Sequence, residues 1–463
     1  MDADTIFAVA SGAGQAAIAV MRLSGPASRA MLAALCGRVP TPRRIAFRRL
    51  RDAEGAELDQ GMVVWLPGPG SYTGEDSAEL YLHGGRAVLM GVADTLVALG
   101  ARPAEPGEFT RRAFLNGRMD LTAAEAVHDL IAAETEAQRH QALRQLDGAL
   151  GTLYRGWADR LRLLLAQQEA LIDFPDEDLP PEVEALVVSE LETMRRELAA
   201  HLDDGRRGER LREGLVFAVT GRPNVGKSSL VNALAEREVA IVSAIPGTTR
   251  DALETRVVLG GVPVTLVDTA GLRDTADAIE AEGVRRARAR AAAADLVIVV
   301  EEAARGAEGA ERDTPPPLAG GGWGEGAVPG PRPPPPNPLP QGEGETALSI
   351  LVANKIDLVA TIPDGAIGVS ALTGEGLDRL HARLAEAARS LTESAGPPPL
   401  TQARHRAALQ EATARLAGAQ IADLPELRAE DLRLALRALG RITGSVGVED
   451  ILDTLFARFC IGK

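Results

Sequence analysis

The spacing of hydrophobic and polar positions changes along the chain near residues 119, 212 and 389. Residues 1 to about 118 contain short apolar runs such as IAVMRL and MVVWLP between Gly/Pro turns, which predicts a small α+β domain. From 119 to about 211, apolar residues recur at helical spacing, as in AEAVHDLIAAETEAQRHQALRQLDGAL. Pro175, Pro180 and Pro181 interrupt this pattern, which predicts a break between two long helices.

From residue 212 onward, an α/β pattern comes first and the helical pattern then returns. Between 212 and about 388, the strand-like runs LVFAVTG, VTLVDTAG, ADLVIVV and LSILVANK alternate with helical segments, which is typical of a parallel α/β sheet. Helical periodicity returns between 389 and 463, in TQARHRAALQEATARLAGA and EDLRLALRAL. The pattern favours a multidomain chain in which an α/β domain is inserted into a discontinuous helical domain. Three sequential domains are the alternative.

Residues 305–346 differ from the rest of the α/β segment. They hold 11 prolines and 10 glycines, including PPPLAGGGWGEG and PRPPPPNPLPQ. Such a stretch has too little apolar surface to offset the entropy of ordering the chain. We predict a disordered surface loop between the LVIVV and ILVANK strands, and a proline-rich partner motif is the alternative.

Composition and charge exclude several classes of protein. A chain of 463 residues exceeds one hydrophobic core, so about two to four domains are expected. The net charge of −15 and the aromatic content of 3% argue against bulk electrostatic or stacking-based binding of nucleic acid. The two cysteines give no disulfide framework or metal spacing. Without a secretory signal or an 18-residue apolar run, we expect a cytoplasmic protein that does not enter a membrane.

The motif GRPNVGKSS at 221–229 predicts a phosphate-binding loop, because it lies between a predicted strand and a predicted helix. Its glycines let backbone N–H groups approach the phosphates, and the helix N-terminus adds positive partial charge. We expect Lys227 to reach the β- and γ-phosphates of the nucleotide. Ser228 is expected to ligate Mg²⁺ through its hydroxyl.

Four further motifs follow in the order of a guanine-nucleotide domain. Asp268 ends the strand VTLVD and is expected to hold the metal through water, and Thr248 or Thr249 in GTTRD is expected to reach Mg²⁺. In NKID, Asp357 accepts hydrogen bonds from the N1–H and 2-amino group of guanine, which adenine does not offer. Asn354 and Lys355 are expected around the base, and Ser370-Ala371 next to the guanine oxygen. The complete set of predicted GTP contacts is Asn224, Val225, Gly226, Lys227, Ser228, Ser229, Ser243, Ile245, Gly247, Thr248, Thr249, Asp268, Thr269, Ala270, Gly271, Asn354, Lys355, Asp357, Ser370 and Ala371.

A leucine follows the DTAG motif where many GTPases carry a water-orienting glutamine. Leu272 makes no hydrogen bond, so another group must perform this task. We expect K⁺, held by Asn224 and by carbonyl groups of SAIPGTT, to stabilise the developing charge. Glu280 either orients the attacking water or is a helix N-terminal acid that the helix dipole stabilises.

The whole chain outside the 305–346 insert resembles the MnmE (TrmE) family of tRNA-modification GTPases. The resemblance includes DTIFAVASG, VMRLSGP, SYTGEDSAELYLHGG, RPAEPGEFTRRAFLNGRMDLTAAEAVHDLI and the terminal FCIGK. It implies a folate-binding and dimerising domain (1–118), a helical domain in two parts (119–211 and 389–463) and an inserted P-loop G domain (212–388). It also implies a homodimeric, K⁺-stimulated GTPase.

The resemblance further implies a partner and a reaction. A FAD-dependent partner of the MnmG (GidA) type, which is expected to provide most tRNA contacts, works with the family to modify C5 of the wobble uridine of tRNAs. The added aminomethyl or carboxymethylaminomethyl group takes its carbon from a tetrahydrofolate derivative (5-formyl or methylene).

The family's site residues map onto this sequence by position. Ser228 and Thr249 match the Mg²⁺ ligands, and Glu280 matches the catalytic carboxylate. The K⁺ positions are matched by Asn224, Ser243, Ile245 and Thr248. The folate contacts are matched by Arg22, Glu79, Arg118 and Lys463. Arg118 stands where lysine is expected, so the charge is kept while the geometry changes.

Two other functions remain open from the sequence. One is a ribosome-assembly switch of the Era or Der type, which shares GRPNVGKSS and DTAG but usually carries a basic RNA-binding module or a second G domain. The other is a folate sensor whose GTPase reports occupancy.

Overall fold

The computed structural model describes residues 4–12, 14–173, 181–237, 254–269, 291–303, 348–359, 361–393, 396–447, 449–457, 459, 461 and 462. The chain forms two compact units. The first comprises residues 1–132, 140–204 and 402–463, and the second comprises residues 133–139 and 205–401. The domain boundaries at 118, 211 and 388 stay predictions.

The strands and helices of the described residues are numbered in chain order. The strands are β1 (Ile6–Val9), β2 (Ala19–Ser24), β3 (Ala46–Arg51), β4 (Glu57–Leu66), β5 (Ser77–Leu82), β6 (Arg102–Pro103), β7 (Leu215–Gly221), β8 (Glu254–Leu259), β9 (Val262–Asp268), β10 (Leu296–Glu302), β11 (Leu348–Asn354) and β12 (Ile367–Val369). The helices are α1 (Ser28–Cys36), α2 (Arg86–Ala98), α3 (Glu108–Leu115), α4 (Leu121–Ala132), α5 (Glu136–Leu146), α6 (Ala149–Asp173), α7 (Pro181–Leu202), α8 (Arg207–Glu213), α9 (Lys227–Arg237), α10 (Leu377–Thr392), α11 (Ala403–Ile421), α12 (Pro425–Thr443) and α13 (Glu449–Phe456).

The first unit contains a six-stranded sheet in the order β3-β4-β5-β2-β1-β6. Neighbouring strands are antiparallel except β1 and β6, which are parallel. Side chains alternate between its faces. On β2, Met21 and Leu23 are buried in the core under α1 and α2, whereas Arg22 between them lies on the opposite face. The predicted α+β domain is therefore confirmed.

In the first unit, helices that precede the second unit in the sequence pack against helices that follow it. α11 packs against α7 and α12, and α12 packs against α6. The C-terminal α13 buries Leu452 and Phe456 against Leu121 and Ala124 of α4. The helical domain is therefore discontinuous, and the alternative of three sequential domains is wrong. None of the helices in the described ranges has the length and apolar character needed to cross a bilayer.

The second unit contains a sheet in the order β12-β11-β10-β7-β9-β8, parallel except for the antiparallel β8. The four runs expected as strands are β7, β9, β10 and β11. β7 lies near the centre, with its apolar side chains in a core shared with α9 and α10. This order gives a crevice at the carboxyl ends of the strands, where open α/β sheets bind ligands.

A buried ion-pair network joins two parts of the helical domain. Glu125 of α4 is 2% exposed and accepts a hydrogen bond from Arg404 Nε at 2.5 Å. His405 Nε2 lies 2.9 Å from the other carboxylate oxygen. Burial alone would raise the pKa of Glu125, but the charges of His405 and Arg404 and their hydrogen bonds lower it to about 2.

Replacing this carboxylate is expected to destabilise the fold. Glu125→Gln leaves Arg404 without its buried counter-ion, so the free energy of unfolding should fall by about 3 kcal/mol at pH 7. Because the folded pKa of Glu125 lies below its ordinary value of 4.5, the contribution of this carboxylate is complete above that pH and is lost as pH falls towards 2. Urea denaturation at several pH values should show the two proteins converging in acid.

A matched control is Glu411→Gln, which breaks the pair between Arg441 and the partly exposed Glu411 in the same helical layer. Its effect should stay below about 1 kcal/mol because solvent screens the pair. Equal losses in the two variants would contradict the role of the buried network.

Candidate functional site

The predicted phosphate loop connects the end of β7 to the start of α9. Gly221 and Gly226 have φ values of 141° and 92°, which side chains other than glycine rarely adopt. A Cβ at 221 would also collide with the carbonyl oxygen of Val300, and one at 226 with the amide of Asn354. Both glycines of the motif are therefore required by the local backbone, and α9 begins directly after the loop.

Lys227 is the first residue of α9, and its side chain bonds back to this loop. It is 5% exposed, and its Nζ donates hydrogen bonds to the carbonyl oxygens of Gly221 at 2.9 Å and Arg222 at 2.8 Å. These bonds hold the ammonium group against the loop. Within the same motif Val225 is buried, whereas Asn224, Ser228 and Ser229 are exposed.

The side chains expected near Mg²⁺ lie in direct contact. The Ser228 hydroxyl, at the start of α9, donates to the Asp268 carboxylate at the end of β9. Thr269, the next residue, donates its hydroxyl to the carbonyl oxygen of Val219 at 2.8 Å. A hydroxyl and a single carboxylate are hard oxygen ligands, which suit Mg²⁺ bound together with phosphates and water. In the described part of the chain, no three His, Cys, Asp or Glu side chains form a metal cluster.

Asn354 joins the phosphate loop to the predicted base-contact loop. It is 1% exposed at the end of β11. Its Nδ2 donates to the carbonyl oxygen of Val225 at 2.8 Å, and its Oδ1 accepts from the N–H of Ala371 at 3.1 Å. Both ends of this side chain therefore bond to backbone groups of two loops, which sequence reasoning had not assigned to it. Its contact with the base stays a prediction.

The remaining residues predicted to contact the base are Lys355, Asp357, Ser370 and Ala371. Lys355 has a φ of 69° and its Nζ lies 3.1 Å from Glu302 Oε1. Asp357 is exposed two residues further on, as a base-binding carboxylate requires. The buried Ser370 accepts a hydrogen bond from the N–H of Thr373 at 3.1 Å, which closes the loop that presents Ala371.

Several predicted site residues lie outside the described residues. They are Ser243, Ile245, Gly247, Thr248, Thr249, Ala270, Gly271, Glu280 and Lys463. The same holds for Leu272 and for the Pro/Gly insert. Their roles stay predictions.

Two of the predicted folate contacts form an ion pair in the first unit. Arg22 of β2 and Glu79 of β5 lie opposite each other, with Arg22 Nη2 2.9 Å from Glu79 Oε1. The guanidinium also lies over the rings of Tyr72 and Phe109, at 5.3 and 5.7 Å from their centroids. A mostly buried anion and a cation that lies over aromatic rings fit a ligand with ring N–H donors and an acidic tail.

Of the other two predicted folate contacts, Arg118 lies within the described residues and Lys463 does not. Arg118 is exposed, and its stem packs near Gly74. Gly462, the residue before Lys463, lies so close to Val9 that a Cβ would collide with the Val9 carbonyl oxygen. Because β1 pairs with β2, this places residue 462 beside the strand next to that of Arg22.

A polar network beside this pair was not predicted. Arg112 contacts Asp4, Glu75 and Glu108, with distances of 2.7, 3.1 and 2.9 Å. Burial alone would raise the pKa of Glu108, but hydrogen bonds from Arg102, the Glu105 N–H and Arg112 lower it. The sequence shows the charged residues of RPAEPGEFTRR, but it does not predict the network, because the partner Asp4 lies 108 residues before Arg112.

Comparison with known proteins assigns the chain to a family. A family model described as the MnmE helical domain matches residues 121–460, and one for the N-terminus of the GTP-binding protein TrmE matches residues 5–118. A protein named tRNA modification GTPase MnmE from Gluconacetobacter diazotrophicus is 59% identical over 99% of this chain and 98% of its own length. Proteins of the same name from Granulibacter bethesdensis and Rhodospirillum rubrum are 55% and 53% identical over 100% of both chains. The chain belongs to the MnmE (TrmE) family of tRNA modification GTPases.

Proposed function

We propose that the chain hydrolyses GTP and, with a FAD-dependent partner of the MnmG (GidA) type, modifies C5 of the wobble uridine of tRNAs. The observation that carries the GTPase part is the meeting of three motifs at one sheet edge. Ser228 contacts Asp268, and Asn354 bonds to both the phosphate loop and the loop of Ala371. Family membership supports the modification and weighs against an Era- or Der-type assembly switch.

The described residues divide the work of binding between them. Lys227 and the N–H groups at the start of α9 offer positive charge to the phosphates. Ser228 and Asp268 would hold Mg²⁺, which neutralises phosphate charge when it is bound. Asp357 accepts hydrogen bonds from the guanine edge, and this selects GTP over ATP because adenine lacks the matching donors.

We also propose that K⁺ and Glu280 replace the missing glutamine. Asn224 has a φ of 65° and is exposed on the phosphate loop, so its side-chain oxygen is available to a monovalent cation. Ser243, Ile245 and Thr248 would complete the ligands, and Thr249 would join Ser228 at Mg²⁺. The cation supplies positive charge where other GTPases use an arginine. Glu280 would orient the attacking water.

The first unit is proposed to bind the one-carbon donor. Arg22, Glu79, Arg118 and Lys463 would hold a tetrahydrofolate derivative. Burial and the charge of Glu79 raise the pKa of Tyr81, whose hydroxyl donates to Glu79 at 3.0 Å and keeps that carboxylate hydrogen-bonded. We further propose a cytoplasmic homodimer that contacts tRNA mainly through its partner, because the net charge of −15 disfavours broad contact with RNA.

Asp357→Asn tests the choice of base. The amide offers a donor where the 2-amino group of guanine needs an acceptor, so GTP affinity should fall by about 100-fold. Affinity for xanthosine triphosphate should rise, because xanthine carries an oxygen at that position. Competition binding measures both effects. Asp364→Asn, at an exposed acid in the following loop, should change neither affinity. Unchanged GTP affinity in Asp357→Asn would remove this residue from the base contact.

The cation dependence tests how Leu272 is tolerated. Replacing Na⁺ by K⁺ should raise the hydrolysis rate by at least about tenfold, because the bound ion stabilises transition-state charge. Glu280→Ala should lower the rate in K⁺ by about 100-fold through loss of the oriented water. Glu236→Ala, at an exposed acid on α9, serves as the control. Equal rates with the two salts would contradict a K⁺ site.

Nucleoside analysis tests the modification. In a strain that lacks this chain, tRNA should lose the C5 group from its wobble uridines. The wild-type gene should restore the group, and Ser228→Ala should not, because the hydroxyl proposed for Mg²⁺ is absent. Unchanged wobble uridines in the deletion strain would refute the modification and leave a folate-sensing GTPase as the alternative.

A further inference from the structure

A short segment between two helices of the first unit belongs to the second. Residues 133–139, here called the clip, are assigned to the second unit, while α4 before them and most of α5 after them belong to the first. The clip contains the sequence TEAQ, whose threonine and glutamine form a capping box. Thr135 Oγ1 accepts from the N–H of Gln138 at 3.3 Å, and Gln138 Oε1 accepts from the N–H groups of Glu134 and Thr135 at 2.9 and 3.2 Å.

Gln138 also ties the clip to α8, the helix that leads into the strand before the phosphate loop. Its Nε2 donates to the carbonyl oxygens of Leu211 at 3.2 Å and Arg212 at 3.1 Å, in the last turn of α8. β7 begins at Leu215 and ends at Gly221, the first residue of the loop. Next to Gln138, Ala137 packs against the core of the second unit. Since Gln138 is only 9% exposed, water is poorly placed to replace these bonds.

Glu134 ties the other end of the clip to the strand that follows the predicted switch threonines. Its Oε1 lies 2.7 Å from Nη1 of Arg256 on β8. β8 pairs with β9, and Arg256 lies opposite Thr265, three residues before Asp268. The Glu134 side chain is 23% exposed, whereas that of Arg256 is 45% exposed, so the pair lies at the surface.

We propose that the clip is a positioning element of the GTPase site, in which Gln138 fixes the approach to the phosphate loop and Glu134 fixes β8 through Arg256. This inference rests on the proposed hydrolysis of GTP. The phosphate loop and the base contacts determine how tightly the nucleotide is held. The switch threonines before β8 and Asp268 after β9 are needed mainly when the γ-phosphate is transferred. Release of Arg256 therefore lowers kcat and leaves KM nearly unchanged.

The test compares Glu134→Gln, Arg256→Gln and the exchanged pair Glu134→Arg with Arg256→Glu, all in the full-length chain. Each single variant should lower kcat for GTP by about three- to tenfold, with KM and GDP affinity within about twofold of wild type. The exchanged pair restores attraction between the two positions and should recover most of the lost rate. Glu386→Gln is the matched control, since its ion pair with Arg383 lies on α10 in the same unit, outside the clip, and is more exposed.

A second measurement separates positioning from general stabilisation. Hydrogen exchange of residues 133–139 is compared in the presence of GDP and of GDP with aluminium fluoride, which mimics the transferred phosphate. Wild type should be more protected in the second state, and Glu134→Gln should abolish that difference. A clip that only stabilises the fold would give the same protection in both states and a lower melting temperature without a change in kcat.

The outcomes keep the two proposals apart. If wild type does not hydrolyse GTP, the proposed function fails. If wild type hydrolyses GTP while Glu134→Gln and Arg256→Gln match Glu386→Gln in kcat, only the positioning role is overturned. A kcat loss that the exchanged pair does not recover at all would also overturn it, because the effect would then not depend on attraction between the two side chains.

Discussion

A buried side-chain amide must satisfy its donor and its acceptor, and in this protein the amide of Asn354 does so with two different loops. The bond to Val225 fixes the phosphate loop, and the bond to Ala371 fixes the base-contact loop. One residue at the end of β11 therefore connects the loop proposed for the phosphates to the loop proposed for the base. A Cβ at residue 226 would collide with the side-chain amide of Asn354, so the loop can approach Asn354 only with glycine at that position.

In the first unit, ion pairs rather than an amide connect separate segments of the chain. Arg22 and Glu79 lie on the face of the sheet opposite the core, where they form an ion pair and the Arg22 guanidinium lies over two aromatic rings. Close by, Arg112 and Arg102 bring together carboxylates from distant parts of the sequence. A guanidinium offers several donors in one plane, which makes it suited to holding separate segments together. Ion pairs between distant segments consequently hold this part of the first unit together.

The sequence predicted the architecture because its periods and its nucleotide motifs are local signals. β8 and β12 were not among the predicted strands: ETRVVL begins with polar residues and IGV spans three positions. The nucleotide residues could be predicted for the same reason, since each motif lies within a few positions of a strand end, and their contacts with GTP stay predictions. The bridging role of Asn354 was not found, because Val225 is 129 residues away and only the folded sheet brings the two together. The clip could not be predicted from the sequence, because its capping box has the same pattern as the start of an ordinary helix.

The assignment of residues 133–139 to the second unit has a consequence for how this protein is divided. A fragment beginning at residue 205 is contiguous, yet it lacks seven residues that complete its surface. In such a fragment the carbonyl oxygens of Leu211 and Arg212 lose their amide donor, and Arg256 loses its counter-ion. A G domain cut out at residue 205 therefore lacks part of its native surface and differs there from the same domain in the intact polypeptide.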